Sequence, residues 1–405
     1  MAPSGFQVLA SLSGAVALAE DRAFEAGDRE SVAVVAEKRD VEALREKVRG
    51  QWNTWTCGAA FREADAFARG LKELGFVAGD TLLLFGQARP RLLWAALGAQ
   101  ALGGKSLLGG ESAPSAISGA VADVRFVFIG EGAARGQTAA ALGARFPSAV
   151  GIINDGPDVT NASDLVERDD RWVSFESVRR FGWGRAGGAN NSREPLSNVP
   201  STNVAWLDDR GEIHEVDATR ARLFESEGQG RRARNASDVV DVLALEPSAG
   251  AARVAFLIAH WKDVGFRLSL PERRGNLAID TRDARPTHLF ASDDWYSAFA
   301  RDVHERLPAF GSLRRRFIDA ALRVGRRADD LRRRGGRLSL DAAAWSFLAE
   351  VTVLRPLRRA LGLGHVRLAF SVGAPLGGDA EEVLNALGIR NVAIRQQSPE
   401  RGSHS

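Results

Sequence analysis

FREADAFARGLKELGFVAGDTLLLFGQARPRLLWAALGAQALGGKSLL, residues 61–108, decides the fold class. Phe61, Ala64, Ala68, Leu71 and Leu74 recur every three or four positions, so one side of a helix carries them all. Gly75 stands where that helix should stop. Residues 81–85, Thr-Leu-Leu-Leu-Phe, are then apolar without alternation, too short a run for a helix, and Gly86 follows. Pro90 suits the first turn of a second helix, where its missing N–H has no partner to lose. Leu93, Leu97 and Ala101 share a face of that helix, Gly103-Gly104 ends it, and residues 106–108 start another apolar run. A short strand that is apolar at every position has no wet side, so helices must cover both faces. Such strands alternating with helices predict a parallel sheet in an α/β domain.

The same rhythm extends outward from this stretch. Residues 124–129 and 149–153 read as further strands. Residues 182–201 break the pattern with Gly182, Gly184, Gly187, Gly188, Asn190, Asn191, Pro195 and Pro200, and read as a linker. Strands resume at 204–207, 239–245, 266–270, 288–291 and 366–372, with helices over 218–226, 251–260 and 295–307. A basic helix is expected over 313–337, where ten arginines surround an apolar stripe of Leu313, Phe317, Ala320, Val324, Ala328 and Leu331. The helix after it carries Trp345, Leu348 and Val351 on one face and is expected to stop at Arg355-Pro356. The organisation predicted is an N-terminal extension (1–30), a first α/β subdomain (31–181), the linker (182–201), a second α/β subdomain (202–394) and a disordered tail (395–405).

Composition narrows the function classes. The 405 residues are 45% hydrophobic and 26% charged, values of an ordinary globular protein. A net charge of +3 gives no general field for nucleic acid, so no nucleic-acid partner is expected. Cys57 is the single cysteine, which excludes an internal disulfide and suits a reducing cytoplasm. The six histidines show no zinc spacing, and no metal site is expected. Residues 8–19 are mildly apolar but no Lys or Arg precedes them, so a cytoplasmic protein is expected rather than an exported one, with peripheral membrane contact left open. No apolar run approaches the ~20 residues of a spanning helix.

A set of ordered motifs goes further. Arg45-Glu46-Lys47, Gly50, Trp52, Thr54 and Trp55 come first, followed by Phe67-Ala68, Gly70-Leu71, Leu74-Gly75 and Gly79-Asp80. Arg89-Pro90, Trp94 and Ala99-Gln100-Ala101-Leu102-Gly103-Gly104 continue the series. Downstream lie Arg285-Pro286-Thr287, residues 321–327, Leu354-Arg355-Pro356-Leu357-Arg358, Leu361-Gly362-Leu363-Gly364 and Ser371-Val372-Gly373-Ala374-Pro375-Leu376. In this order and spacing they resemble the N-terminal domain of bacterial long-chain acyl-CoA synthetases, fatty-acid–CoA ligases of the adenylate-forming (AMP-binding) superfamily. The resemblance implies two packed, doubly wound, mostly parallel sheets with helices on both faces. It also implies a nucleotide and acyl pocket involving Ser371, Gly373, Ala374 and Pro375, and ATP, magnesium and CoA as the family's co-reactants.

The residues at the matching positions do not carry that chemistry. The family's phosphate loop, T-S-G-T-T-G-x-P-K-G, closes backbone N–H groups, hydroxyls and a lysine on ATP. Here Asp208, Asp209, Arg210, Gly211, Glu212, Ile213, His214 and Glu215 stand in its place: one glycine, no lysine, four carboxylates. The later element G-Y-G-x-T-E corresponds to residues 390–397, which lack the tyrosine, threonine and acid. The ribose-binding aspartate and the mobile domain with its catalytic lysine have no counterpart within these residues. The expectation is therefore a non-catalytic acyl-CoA-synthetase-like protein with no catalytic residue and no cofactor. It would bind a long-chain acyl group, or act beside a partner ligase or a chain supplying the C-terminal domain. A divergent long-chain fatty-acid–CoA ligase, active alone or with a partner chain, is the alternative reading, and a relic without selected activity is a third.

Overall fold

The structure is a computed structural model. It describes residues 41–109, 124–131, 135–155, 169–186, 204–208, 211–216, 240–245, 250–264, 266–272, 277–306, 312, 315–316, 318–321, 323–324, 340–372 and 376–394. In chain order the first elements are β1 (Glu42–Val48), β2 (Gln51–Thr56), α1 (Cys57–Glu73), β3 (Thr81–Phe85), α2 (Pro90–Ala101), β4 (Lys105–Gly109) and β5 (Phe126–Ile129). Then come α3 (Arg135–Arg145), β6 (Val150–Ile153), β7 (Trp172–Ser174), α4 (Phe175–Ala186), β8 (Val204–Leu207) and β9 (Ile213–Glu215). The remainder is β10 (Asp241–Ala244), α5 (Ala251–Val264), β11 (Arg267–Leu270), α6 (Leu277–Ala284), β12 (His288–Ala291), α7 (Asp293–Arg306), α8 (Leu340–Ala349), a π-helical turn (Glu350–Leu354), α9 (Arg355–Ala360), β13 (Leu368–Val372), α10 (Gly378–Ala386) and β14 (Arg390–Ile394).

Two mostly parallel seven-stranded sheets result, in the orders β7-β6-β5-β3-β4-β8-β9 and β14-β13-β12-β10-β11-β1-β2. The expected α/β class with helix-covered parallel sheets is what the chain adopts. It divides into two compact units, Met1–Val239 with Pro247–Leu270, and Val240–Glu246 with Pro271–Ser405.

In the first unit β3 is the central strand, and Leu82, Leu83 and Leu84 are fully buried because helices cover both faces. Burying each such side chain contributes about 1.5–3 kcal/mol. After β3 the chain moves to β4 on one side, then returns to β5 on the other, which makes the carboxyl ends of β3 and β5 a topological switch point. Helix α1 starts where the Thr56 hydroxyl accepts the Ala59 N–H at 3.2 Å. Its apolar face packs Phe67 flat against Phe175 of α4, with ring centroids 5.0 Å apart. Two glycines set how closely α1 and α4 approach. A Cβ at Gly70 would lie 1.9 Å from the Val178 carbonyl oxygen, and one at Gly182 would lie 1.8 Å from that of Ala66. Gly182 is thus a packing notch, and α4 runs through Ala186, so residues 182–186 of the expected linker are helix. Residues 187–201 lie outside the described residues.

β1 and β2 form a hairpin closed by Arg49 and Gly50, both at positive φ (50° and 79°), the backbone that a tight two-residue turn requires. β1 pairs in parallel with β11, Leu44 opposite Leu268, and Arg45 Nε donates to Ser269 Oγ at 2.6 Å.

In the second unit β12 lies between β10 and β13, and β13 pairs onward with β14. Leu368, Ala369, Phe370 and Ser371 are fully buried. The helix expected to stop at Arg355-Pro356 does not: the π-helical turn leads directly into α9, and Pro356 falls in the first turn of α9. Most of the expected basic helix over 313–337, the expected helix over 218–226, the extension 1–30 and the tail 395–405 lie outside the described residues. Among the described residues no helix is long and apolar enough to cross a membrane.

Candidate functional site

β8 and β9 are antiparallel, with Ala205 opposite Glu215, Trp206 opposite His214 and Leu207 opposite Ile213. The connection between them is short and held by its own groups. Gly211 takes φ 77°, a left-handed conformation that glycine adopts without penalty. Its N–H donates to the Asp208 carbonyl at 3.0 Å, and the Asp208 N–H donates to the Glu212 carbonyl at 3.1 Å. The Glu212 N–H donates to Asp208 Oδ1 at 2.8 Å. The other carboxylate oxygen, Oδ2, lies 3.1 Å from His214 Nε2. The His214 ring stacks on Trp206, centroids 4.3 Å apart and planes 17° from parallel. Asp208, Glu212 and His214 each offer one ligand atom, and these atoms lie within 4.8 Å of one another.

This is where the sequence places a degenerate phosphate loop, and the backbone N–H groups described there turn into the hairpin. A phosphate cradle needs N–H groups that point outward without partners. Here the N–H groups of Asp208, Gly211 and Glu212 all donate within the turn. Asp208 and Glu212 add negative charge to the turn, and like charges near 4 Å repel by about 1–4 kcal/mol per pair depending on exposure. Asp209 and Arg210 lie outside the described residues.

The second candidate region is the carboxyl end of β13. Ser371 pairs with Ala291 of β12 and Ala393 of β14, and its hydroxyl has no hydrogen-bond partner among the described residues. Gly373, Ala374 and Pro375 lie outside them. On β12, His288 stacks on Phe370 at 5.8 Å, and its Nδ1 lies 2.7 Å from the Thr287 hydroxyl. Burial, with Arg367 as a second cause, pushes the imidazole down to about 4, so it is neutral near pH 7. Tyr296 fixes β13 from the side, its hydroxyl donating to the Phe370 carbonyl at 3.1 Å.

A polar cluster in the first unit has no counterpart among the residues singled out from the sequence for chemistry. Arg89 Nη1 donates to Glu46 Oε1 at 3.2 Å, and Arg89 Nε lies 3.8 Å from Glu131 Oε2. Arg91 donates to Asn154 Oδ1 and Asp155 Oδ1, both at 2.8 Å, and its guanidinium sits over Phe175, 5.2 Å from the ring centroid. Gln87 is 1% exposed, and neither side-chain amide atom has a hydrogen-bond partner among the described residues. These groups follow β3, β5 and β6, at the switch point. Glu46 and Arg89 are visible in the sequence only as members of family-like motifs. Strand order, not spacing, brings Glu131, Asn154 and Asp155 to them.

Two seven-stranded parallel-rich sheets in this connectivity match solved structures over nearly the whole chain. The adenylation domain of the carboxylic acid reductase from Segniliparus rugosus, in complex with AMP and a co-purified carboxylic acid, superposes with a TM-score of 0.59 at 12% identity. That match covers 91% of this chain and 60% of that one. The fold is that of an adenylation domain. An acyl-CoA synthetase from Brucella canis gives a TM-score of 0.55 at 14% identity, covering 88% of this chain and 55% of that one. VinN in complex with L-aspartate gives 0.53 at 13% identity, over 98% and 77% of the two chains. The adenylation-fold chain thus spans 60% or less of the length of these reductase and synthetase structures. No protein-family model matches the sequence, and no curated protein matches it.

Proposed function

We propose that this adenylation-fold chain is a non-catalytic, acyl-CoA-synthetase-like protein that does not form acyl-adenylates. The observation that carries this reading is the hydrogen bond from the Glu212 N–H to Asp208 Oδ1. A carboxylate of the chain itself occupies the donor at the position where the family resemblance puts the phosphates. The negative charge of Asp208 and Glu212 supports the same reading, as does the lack of a lysine between residues 204 and 218. The roles left to such a protein are holding an acyl group or pairing with an active ligase. Neither needs ATP, magnesium or CoA bound to this chain.

The test is pyrophosphate release with magnesium-ATP and a series of fatty acids, read against a buffer blank. No release above the blank is expected. Fatty-acid-dependent release that disappears on changing Asp208 and Glu212 to alanine establishes the divergent ligase instead.

A further inference from the structure

We propose that the β8–β9 hairpin binds a divalent transition-metal ion of the zinc type through Asp208, Glu212 and His214. The donor set is mixed, one imidazole nitrogen and two carboxylates, and the imidazole separates it from an ordinary acidic surface turn. An ion about 2.1 Å from each ligand holds neighbouring donors roughly 3.0–3.4 Å apart, between right-angle and tetrahedral geometry. Asp208 Oδ2 and His214 Nε2 are already 3.1 Å apart, His214 held by its pairing with Trp206 and Asp208 by its N–H on the Glu212 carbonyl. Stacking on Trp206 fixes the plane of the ring, so Nε2 is held toward the carboxylate. Glu212 is exposed and within the 4.8 Å span of the three ligand atoms, so a small side-chain rotation closes the set. Asp208 keeps its second oxygen on the Glu212 N–H, an outer bond of the kind that orients metal-ligating carboxylates.

The chemistry selects the ion. Imidazole nitrogen with carboxylate favours zinc, cobalt or nickel, whereas magnesium and calcium prefer all-oxygen sites of six or more ligands. Three protein donors on a hairpin leave coordination positions open for water or an anionic partner group. The turn would thus bind charge of the opposite sign to that of the polyanion it excludes. Zinc binding is independent of the inactivity proposed above, because the titration that detects it contains no nucleotide.

Zinc chloride is titrated into the full chain by calorimetry at pH 7.5, in buffer free of phosphate and chelators. One zinc per chain is expected, with affinity lowered ~10–100-fold in His214→Gln and in Glu212→Gln. Magnesium and calcium at the same concentrations should give no saturable heat. Trp206 supplies a second readout: zinc should change the fluorescence of the wild type and leave Trp206→Phe much less affected. Thermal melts establish that each variant is folded, and Glu212→Gln alters an exposed side chain that donates no hairpin hydrogen bond. Absence of saturable zinc binding by the wild type overturns the proposal. So does zinc affinity that is unchanged in the folded His214→Gln and Glu212→Gln variants.

Discussion

Glu46 on β1 accepts a hydrogen bond from Arg89 at 3.2 Å, yet its carboxyl is pushed up to about 7. Burial is the larger effect and raises it, the Arg89 charge lowers it, and Glu131 raises it again. Near pH 7 Glu46 is therefore about half protonated, where an ordinary carboxylate is ionised.

Stability should therefore fall with pH in a defined window. The folded Glu46 keeps its proton up to about 7, whereas the unfolded group releases it near the ordinary value of 4.5. Between those values the native state binds more protons, so its stability is full below the lower value and lost as pH rises through the upper one. Glu46→Gln keeps an acceptor for Arg89 and removes the titration. Its unfolding free energy, read from urea melts, should drop less between pH 5 and pH 8 than that of the wild type, a difference on the order of 1–3 kcal/mol. Parallel curves for the two proteins would exclude this role for Glu46.

His288 should act in the opposite direction. Its folded value of about 4 lies below the ordinary 6.5, so the unfolded state binds more protons between them. Stability contributed by the neutral ring is present above 6.5 and lost as pH falls toward 4. His288→Phe preserves an aromatic partner for Phe370 and should flatten the acid limb of the stability curve measured by urea unfolding.

Alanine at Gly70 or Gly182 should loosen the contact between α1 and α4. The added methyl carbon would meet backbone oxygen at 1.9 Å or 1.8 Å, which rotating a side chain cannot relieve. Each change should destabilise by about 1–3 kcal/mol or more. Gly50→Ala meets nothing within 4 Å and isolates the separate penalty of a positive φ. Urea midpoints of the three variants should rank both helix glycines as the more damaging.

Acyl binding separates the two roles left by the proposed function. β10 and β12 are buried throughout, and with β13 they offer the apolar surface that the family resemblance assigns to the acyl channel. Each buried CH₂ contributes about 0.8 kcal/mol. Fluorescence titration with long-chain fatty acids should show saturable binding that tightens with chain length if the chain holds an acyl group. Absence of binding by the folded protein leaves the pairing role or a relic without selected activity.

The sequence is legible where burial makes it uniform. His288-Leu289-Phe290-Ala291, buried throughout, and Val204-Ala205-Trp206-Leu207, buried at both ends, are read with the bounds they have in the structure, because their apolar residues form one short run. β1 carries Glu42, Arg45, Glu46 and Lys47, and β2 carries no buried residue, so neither offers an apolar run to recognise. β9 is three residues long, too short for any period to show, and only pairing with β8 reveals it. Gly182 fails as a loop signal because the residue that breaks a solitary helix also lets two helices touch. Asp208, Glu212 and His214 are singled out in the sequence as an altered loop. Their convergence on one another is a property of the hairpin turn, which no spacing rule in the sequence specifies.

The parallel pairing of β1 with β11 has a consequence for the newborn chain. Leu44 and Leu268 are neighbours in the sheet, and Arg45 meets Ser269 across 224 residues. At ~5–20 residues per second, translation delivers β11 roughly 10–45 s after β1. During that interval the edge of β1 that pairs with β11 lacks its partner strand. An open strand edge is a template for wrong pairing, and a pause in synthesis before residue 267 would lengthen the exposure.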